Sequence, residues 1–127
     1  MSYAKKNLRE VEDSALKYGL SNTQEARFPR SDLGAERTGF NYLIIKPDQR
    51  EAFAHRHREA EEIYVVLAGS GRVKFDDELV DLTPLDAVRV SPGTVRSFEA
   101  GPEGLEVLIF GPHVEGDGEV VSDFWDA

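Results

Sequence analysis

Between Thr38 and Phe110 the apolar residues come in short runs, and nearly every run stops at a glycine, a proline or a pair of aspartates. Runs of that length do not develop the apolar stripe of a helix, and turn residues at such regular spacing read as the strands of a sandwich or barrel. Eight strands are predicted in series: Phe40 to Ile45, Glu51 to His57, Glu62 to Ala68, Arg72 to Phe75, Glu78 to Leu82, Asp86 to Val90, Thr94 to Ala100 and Leu105 to Phe110. With no clear helix among them, they imply an all-β jelly-roll barrel.

The strand from Glu62 to Ala68 carries apolar residues on both faces, Tyr64 and Val66 on one and Ile63, Val65 and Leu67 on the other. Neither face can be freely solvated, so this strand is placed centrally, with its outer face covered by another layer or by a second copy in a homodimer. Val73 and Phe75 alternate with Arg72 and Lys74, the pattern of a half-exposed strand. The first thirty residues are less legible. Leu8, Val11, Ala15 and Leu16 have helical spacing that would end near Gly19, and a strand from Tyr3 to Leu8 is the alternative. The tail from Gly111 is rich in glycine and acids but ends with Val120, Val121, Phe124 and Trp125, which are expected to pack on the barrel or across a dimer.

At 127 residues the chain is the size of one domain, with a barrel core over about 38–110 and both extensions packed against it. It has no cysteine, which excludes disulfides, thiolate metal sites and a cysteine nucleophile. The formal net charge of -9 opposes a phosphate backbone, so nucleic acid is not expected as a partner. No apolar run approaches the ~18 residues of a membrane span, and no signal-peptide pattern opens the chain. A soluble, cytoplasmic protein is the expectation. There is no nucleophile elbow and no phosphate-binding glycine loop.

The chemistry concentrates in one stretch, HRHREAEEIYVVLAG, residues 55–69. Side chains alternate along a strand, so His55 and His57 share a face, roughly 7 Å apart at about 3.3 Å per residue. Arg58 to Glu61 suit a turn, after which Glu62 can return beside the histidines from the next strand. Two imidazoles and a carboxylate suit non-haem iron and, with a further ligand or water, manganese, zinc or nickel.

His55, His57, Glu62 and Gly69 match, letter for letter, the first conserved motif of the cupins, and the chain resembles a small single-domain member of that superfamily. The glycine usually found six positions earlier is Gln49. The second cupin motif falls on residues 85–100, LDAVRVSPGTVRSFEA, where Gly93 alone keeps its letter. Leu85 replaces the first glycine, Ser91 the proline and Ala100 the asparagine, and Arg96 stands where the family places a ligand histidine. A guanidinium has no lone pair for a metal. The resemblance therefore implies two arrangements. In one, His55, His57 and Glu62 hold a divalent metal while Arg96, with Tyr64 and Phe98 on the same inward faces, binds a small anionic molecule. In the other, Arg96 replaces the metal and forms a buried ion pair with Glu62, giving a metal-free binding or structural cupin. If the chain is an enzyme, the resemblance implies a metal-dependent dioxygenase or isomerase. Tyr42 is a candidate for the barrel mouth, and His113, outside both motifs, is expected at the surface.

Overall fold

The structure is a computed structural model of the chain and describes residues 2–126. It holds eight strands: β1 (Gln24–Arg27), β2 (Phe40–Ile45), β3 (Ala54–His57), β4 (Glu62–Phe75), β5 (Glu78–Leu82), β6 (Ala87–Val90), β7 (Arg96–Phe110) and β8 (Gly118–Val121). Two short helices, α1 (Ser14–Lys17) and α2 (Arg30–Leu33), lie before β2. All strand pairs are antiparallel, and the curled sheet is the jelly-roll barrel that the spacing of the runs implies.

The strands are divided differently from the sequence reading. The runs on either side of Gly69-Ser70-Gly71 form one continuous strand, β4, and those on either side of Gly101 to Gly104 form another, β7. The glycines bend these strands without ending them. In β4 the register with β7 slips between Val66 and Ala68 and again between Gly69 and Gly71. Such bulges let one strand turn the corner between two sheets. The first halves of the two long strands therefore belong to different sheets from their second halves. One sheet runs β1, β2, the Leu105 end of β7, the Glu62 end of β4, then β6. The other runs β8, β3, the Arg96 end of β7, the Phe75 end of β4, then β5.

Close approach at the corner explains the glycines. A Cβ on Gly69, which has φ +79°, would lie 2.0 Å from the Gly104 carbonyl oxygen, and one on Gly71 would lie 2.3 Å from that of Glu99. The core fills the space between the sheets with Leu43, Ile45, Tyr64, Val66, Val73, Leu82, Val90, Phe98, Leu105 and Val107.

Three segments depart from the sequence reading. Before β1 the chain makes a 3-10 turn (Leu8–Glu10) and then α1, not a strand from Tyr3. Asp13 caps α1 by accepting from the Ala15 amide, and the same oxygen accepts from Ala26 in β1. Lys74 is buried, not half-exposed, because the C-terminal tail covers it. Its ammonium lies 4.4 Å from the Phe124 ring centre and donates to the Phe124 carbonyl, while Trp125 Nε1 donates to Ser97 Oγ over 3.0 Å. Finally, β8 extends the second sheet beyond β3, pairing Ala54 with Val121 and His57 with Gly118. Among the described residues no helix is long and apolar enough to cross a membrane.

Candidate metal centre and ligand cavity

β3 delivers His55 and His57, and β4 opens on Glu62. The two imidazoles meet edge to face with ring centres 5.1 Å apart, closer than strand spacing alone allows because the rings tilt together. One ligand atom from each of His55, His57 and Glu62 lies within 4.8 Å of the others. Burial, then the charges of Arg96 and His57, push the His55 imidazole down to about 4, so at neutral pH it offers a lone pair.

His57 faces a carboxylate at each ring nitrogen, at ion-pair distance but outside hydrogen-bond geometry. Its Nδ1 lies 3.3 Å from Asp117 Oδ2, and its Nε2 lies 3.7 Å from Glu62 Oε1. Asp117 is buried just before β8 and accepts hydrogen bonds from the Glu59 and Ala60 amides. A carboxylate behind one nitrogen of a histidine orients the ring and leaves the other nitrogen for a metal. Nothing in the glycine-rich tail singled Asp117 out by sequence; it is recruited by the β3–β8 pairing.

Arg96 is completely buried. Its Nη2 donates to Glu62 Oε1, its Nε donates to the Tyr64 hydroxyl over 2.9 Å, and its Nη1 donates to the Thr94 carbonyl over 2.9 Å. Each nitrogen is thus committed inside the protein. Tyr64 and Phe98 are also fully buried and pack on each other with ring centres 5.0 Å apart. Arg96, Tyr64 and Phe98, expected to bind a ligand, are buried and line neither of the two cavities beside the candidate ligands. They form the floor under the three candidate ligands.

Two cavities open beside those ligands and share Phe28, Asn41, His57, Glu62 and Ile109 as a common wall. The first, about 330 Å³, is lined further by Arg30, Ser31 and His113. The second, about 270 Å³ and mostly apolar, is lined by Tyr42, Leu43, Phe53, His55 and Glu51 among others. Tyr42 borders this cavity, but its hydroxyl donates to Glu106 on the strand face opposite the buried Leu43, Leu105 and Val107. Glu51 lay unmarked within a predicted strand; its carboxyl accepts from the Phe98 amide over 3.2 Å. Burial raises its pKa to about 8 against the lowering influence of that hydrogen bond and of Arg96, so it is largely protonated at neutral pH.

The curled antiparallel barrel is the fold of a cupin, and the comparisons agree. The family model described as the cupin domain matches residues 41–111, and the chain belongs to that family. No curated protein matches the sequence. Among solved structures, the polyketide cyclase RemF from Streptomyces resistomycificus superposes with a TM-score of 0.76 at 19% identity, over 95% of this chain and 88% of that one. A cupin protein from Bacteroides fragilis gives a TM-score of 0.71 at 19% identity, over 91% of this chain and 88% of that one. Oxalate decarboxylase from Bacillus subtilis gives 0.68 at 25% identity over 81% of this chain, which covers 29% of the longer protein.

The donor set fits a divalent metal: two imidazoles, one held neutral by burial and one facing Asp117, and a carboxylate within reach of both. Arg96 limits that fit, since its charge already offsets the one carboxylate in the trio.

Proposed function

We propose that this chain is a small-molecule-binding cupin in which His55, His57 and Glu62 hold a divalent metal of the iron, manganese, zinc or nickel type, with a small anionic ligand in the adjoining cavity. The observation that supports it most is the convergence of the three donor atoms with the Asp117 carboxylate behind His57. Such a metal, when bound, would supply Lewis acidity or oxygen activation of the dioxygenase or isomerase kind. The residues of the chain would do the rest: Asp117 orients the His57 ring, Arg96, itself held by Tyr64, fixes Glu62 from below, and the apolar wall of Leu43, Phe53 and Ile109 limits water at the ligands.

A second reading has its own support. The buried Glu62–Arg96 pair already satisfies the carboxylate, as a metal-free binding cupin requires. Metal analysis of protein purified without chelator separates the two. Under the metal reading the wild type carries near one equivalent, and His57→Ala and Glu62→Ala each lose it. Asp117→Asn weakens the affinity by about 10 to 100-fold, as for other residues that orient a ligand. Protein that takes up no metal on titration would leave the metal-free reading standing.

A further inference from the structure

Arg30 is the one charged side chain lining the larger cavity apart from Glu62 and the histidines, and it has no assigned task. Its Nε is buried without a hydrogen-bond partner, although a buried N–H ordinarily finds an acceptor. Among the described residues it joins none of the ion pairs. Its stem is held in place: Arg30 Cδ lies 3.4 Å from where a Cβ on Gly39 would stand, so the glycine makes the channel through which the side chain runs. Ser31 and Asn41 add neutral hydrogen-bonding groups to the same wall. Glu62, the acid that shares the cavity, is already matched by Arg96 and leaves the Arg30 charge unanswered. Next to this polar chamber, across the shared wall of Phe28 and Ile109, lies the mostly apolar one.

We propose that Arg30 is the anion-recognition residue of this cupin, and that the ligand is a small carboxylic acid with an apolar or aromatic body, its carboxylate on Arg30 and its body in the chamber lined by Leu43, Phe53 and Ile109. The proposal deepens the functional reading above by moving charge recognition from Arg96 to Arg30. A guanidinium presents paired N–H donors that match a carboxylate, and the pairing is strongest where water is partly excluded. Arg30 lies outside residues 41–111, so the cupin pattern itself does not supply it.

The test uses the full chain, with benzoate as the acid and benzyl alcohol as the uncharged body of the same size, both titrated calorimetrically in the presence of a chelator so that no metal contributes. Wild type is expected to bind both, benzoate more tightly. Arg30→Gln should lose about tenfold or more for benzoate, the scale of a charge-assisted hydrogen bond, with little change for benzyl alcohol. Arg30→Lys should recover part of the loss. Benzoate binding that is absent in wild type, or equal in wild type and Arg30→Gln, overturns the proposal. So does a parallel loss of both probes in Arg30→Gln, which would make Arg30 a shaper of the cavity and not a reader of charge. A manganese titration of the same two proteins reads the metal site separately. Manganese bound equally by both with no benzoate effect removes Arg30 alone, whereas a benzoate effect without manganese binding removes the metal reading and leaves Arg30.

Discussion

Arg96 shows how one residue can decide between two chemistries from the same position. It stands where a cupin places a ligand histidine, yet it is wholly buried and spends its donors on Glu62, Tyr64 and Thr94. Arg96→Ala would leave the Glu62 carboxylate buried and unpaired, a loss of about 3 to 5 kcal/mol. In melting experiments that variant should unfold far below wild type without metal and recover when a divalent metal is added, because the metal then neutralises Glu62. Arg96→His should bind metal more tightly than wild type; failure of metal to rescue either variant would mean that Glu62 does not ligate. Glu51 allows a second test. Its pKa is about 8 in the fold against 4.5 for an ordinary glutamate, so the folded state favours its protonated form. The stability from that preference is complete below the unfolded pKa and is lost as pH rises toward about 8, because the unfolded chain ionises first. Glu51→Gln keeps an oxygen to accept from the Phe98 amide and removes the charge. Urea midpoints measured from about pH 5 to 9 should therefore fall with pH in wild type and stay flatter in the variant. Parallel slopes would place the Glu51 carboxyl in contact with water. The spacing His-x-His with Glu62 could be read from the chain because β3 and β4 follow each other across a turn of only four residues. Arg30, Glu51 and Asp117 could not, because they reach the site from separate segments that only the folded barrel brings together.

At the scale of elements, the corners matter most. β4 and β7 continue through glycines that read, one dimension at a time, as turns; what the sequence could not express is that two bends facing each other keep both strands paired. Strands with alternating apolar letters were legible, whereas β1 (QEAR) and β8 (GEVV) are too short and polar to stand out and exist because β2 and β3 offer them an edge. Gly69→Ala should be severely destabilising, since backbone at φ +79° adds about 1 to 3 kcal/mol of strain before the clash with Gly104 is counted. Leu85, by contrast, holds φ +72° at the position where the cupin motif has glycine, and its side chain is exposed. Relief of left-handed strain of about 1 to 2 kcal/mol, less the ~0.5 to 1 kcal/mol that glycine loses in backbone freedom, makes Leu85→Gly neutral to stabilising. Thermal melts of the two variants should move in opposite directions, or Leu85→Gly should not move at all; a marked fall for Leu85→Gly would contradict the strain argument.

In the whole molecule, the inner face of the barrel packs into a core beside the cavities, while part of its outer face is bare. Ile63 and Phe110 pair across β4 and β7 and remain 45% and 37% exposed, Leu67 lies two turns of the pleat further along at 41%, and Phe40 packs on Phe110 with ring centres 5.7 Å apart. A second copy covering this face would account for the two-faced apolar pattern of β4. Sedimentation at tens of micromolar is expected to give a dimer, and Ile63→Lys with Phe110→Lys a monomer; a monomeric wild type ends that expectation. The far edge of the molecule has a different character. β8 is four residues long, largely exposed, and bound to the rest of the sheet through β3 alone, yet Asp117 beside it steadies His57. Protein regions open independently, and a short peripheral strand opens with much less free energy than the paired strands of a core. Amide hydrogens of β8 should thus exchange with solvent long before those of β4 and β7, and each opening frees the His57 ring to turn. The rigidity of the histidine pair is set at the frayed rim of the sheet, however stable the barrel behind it.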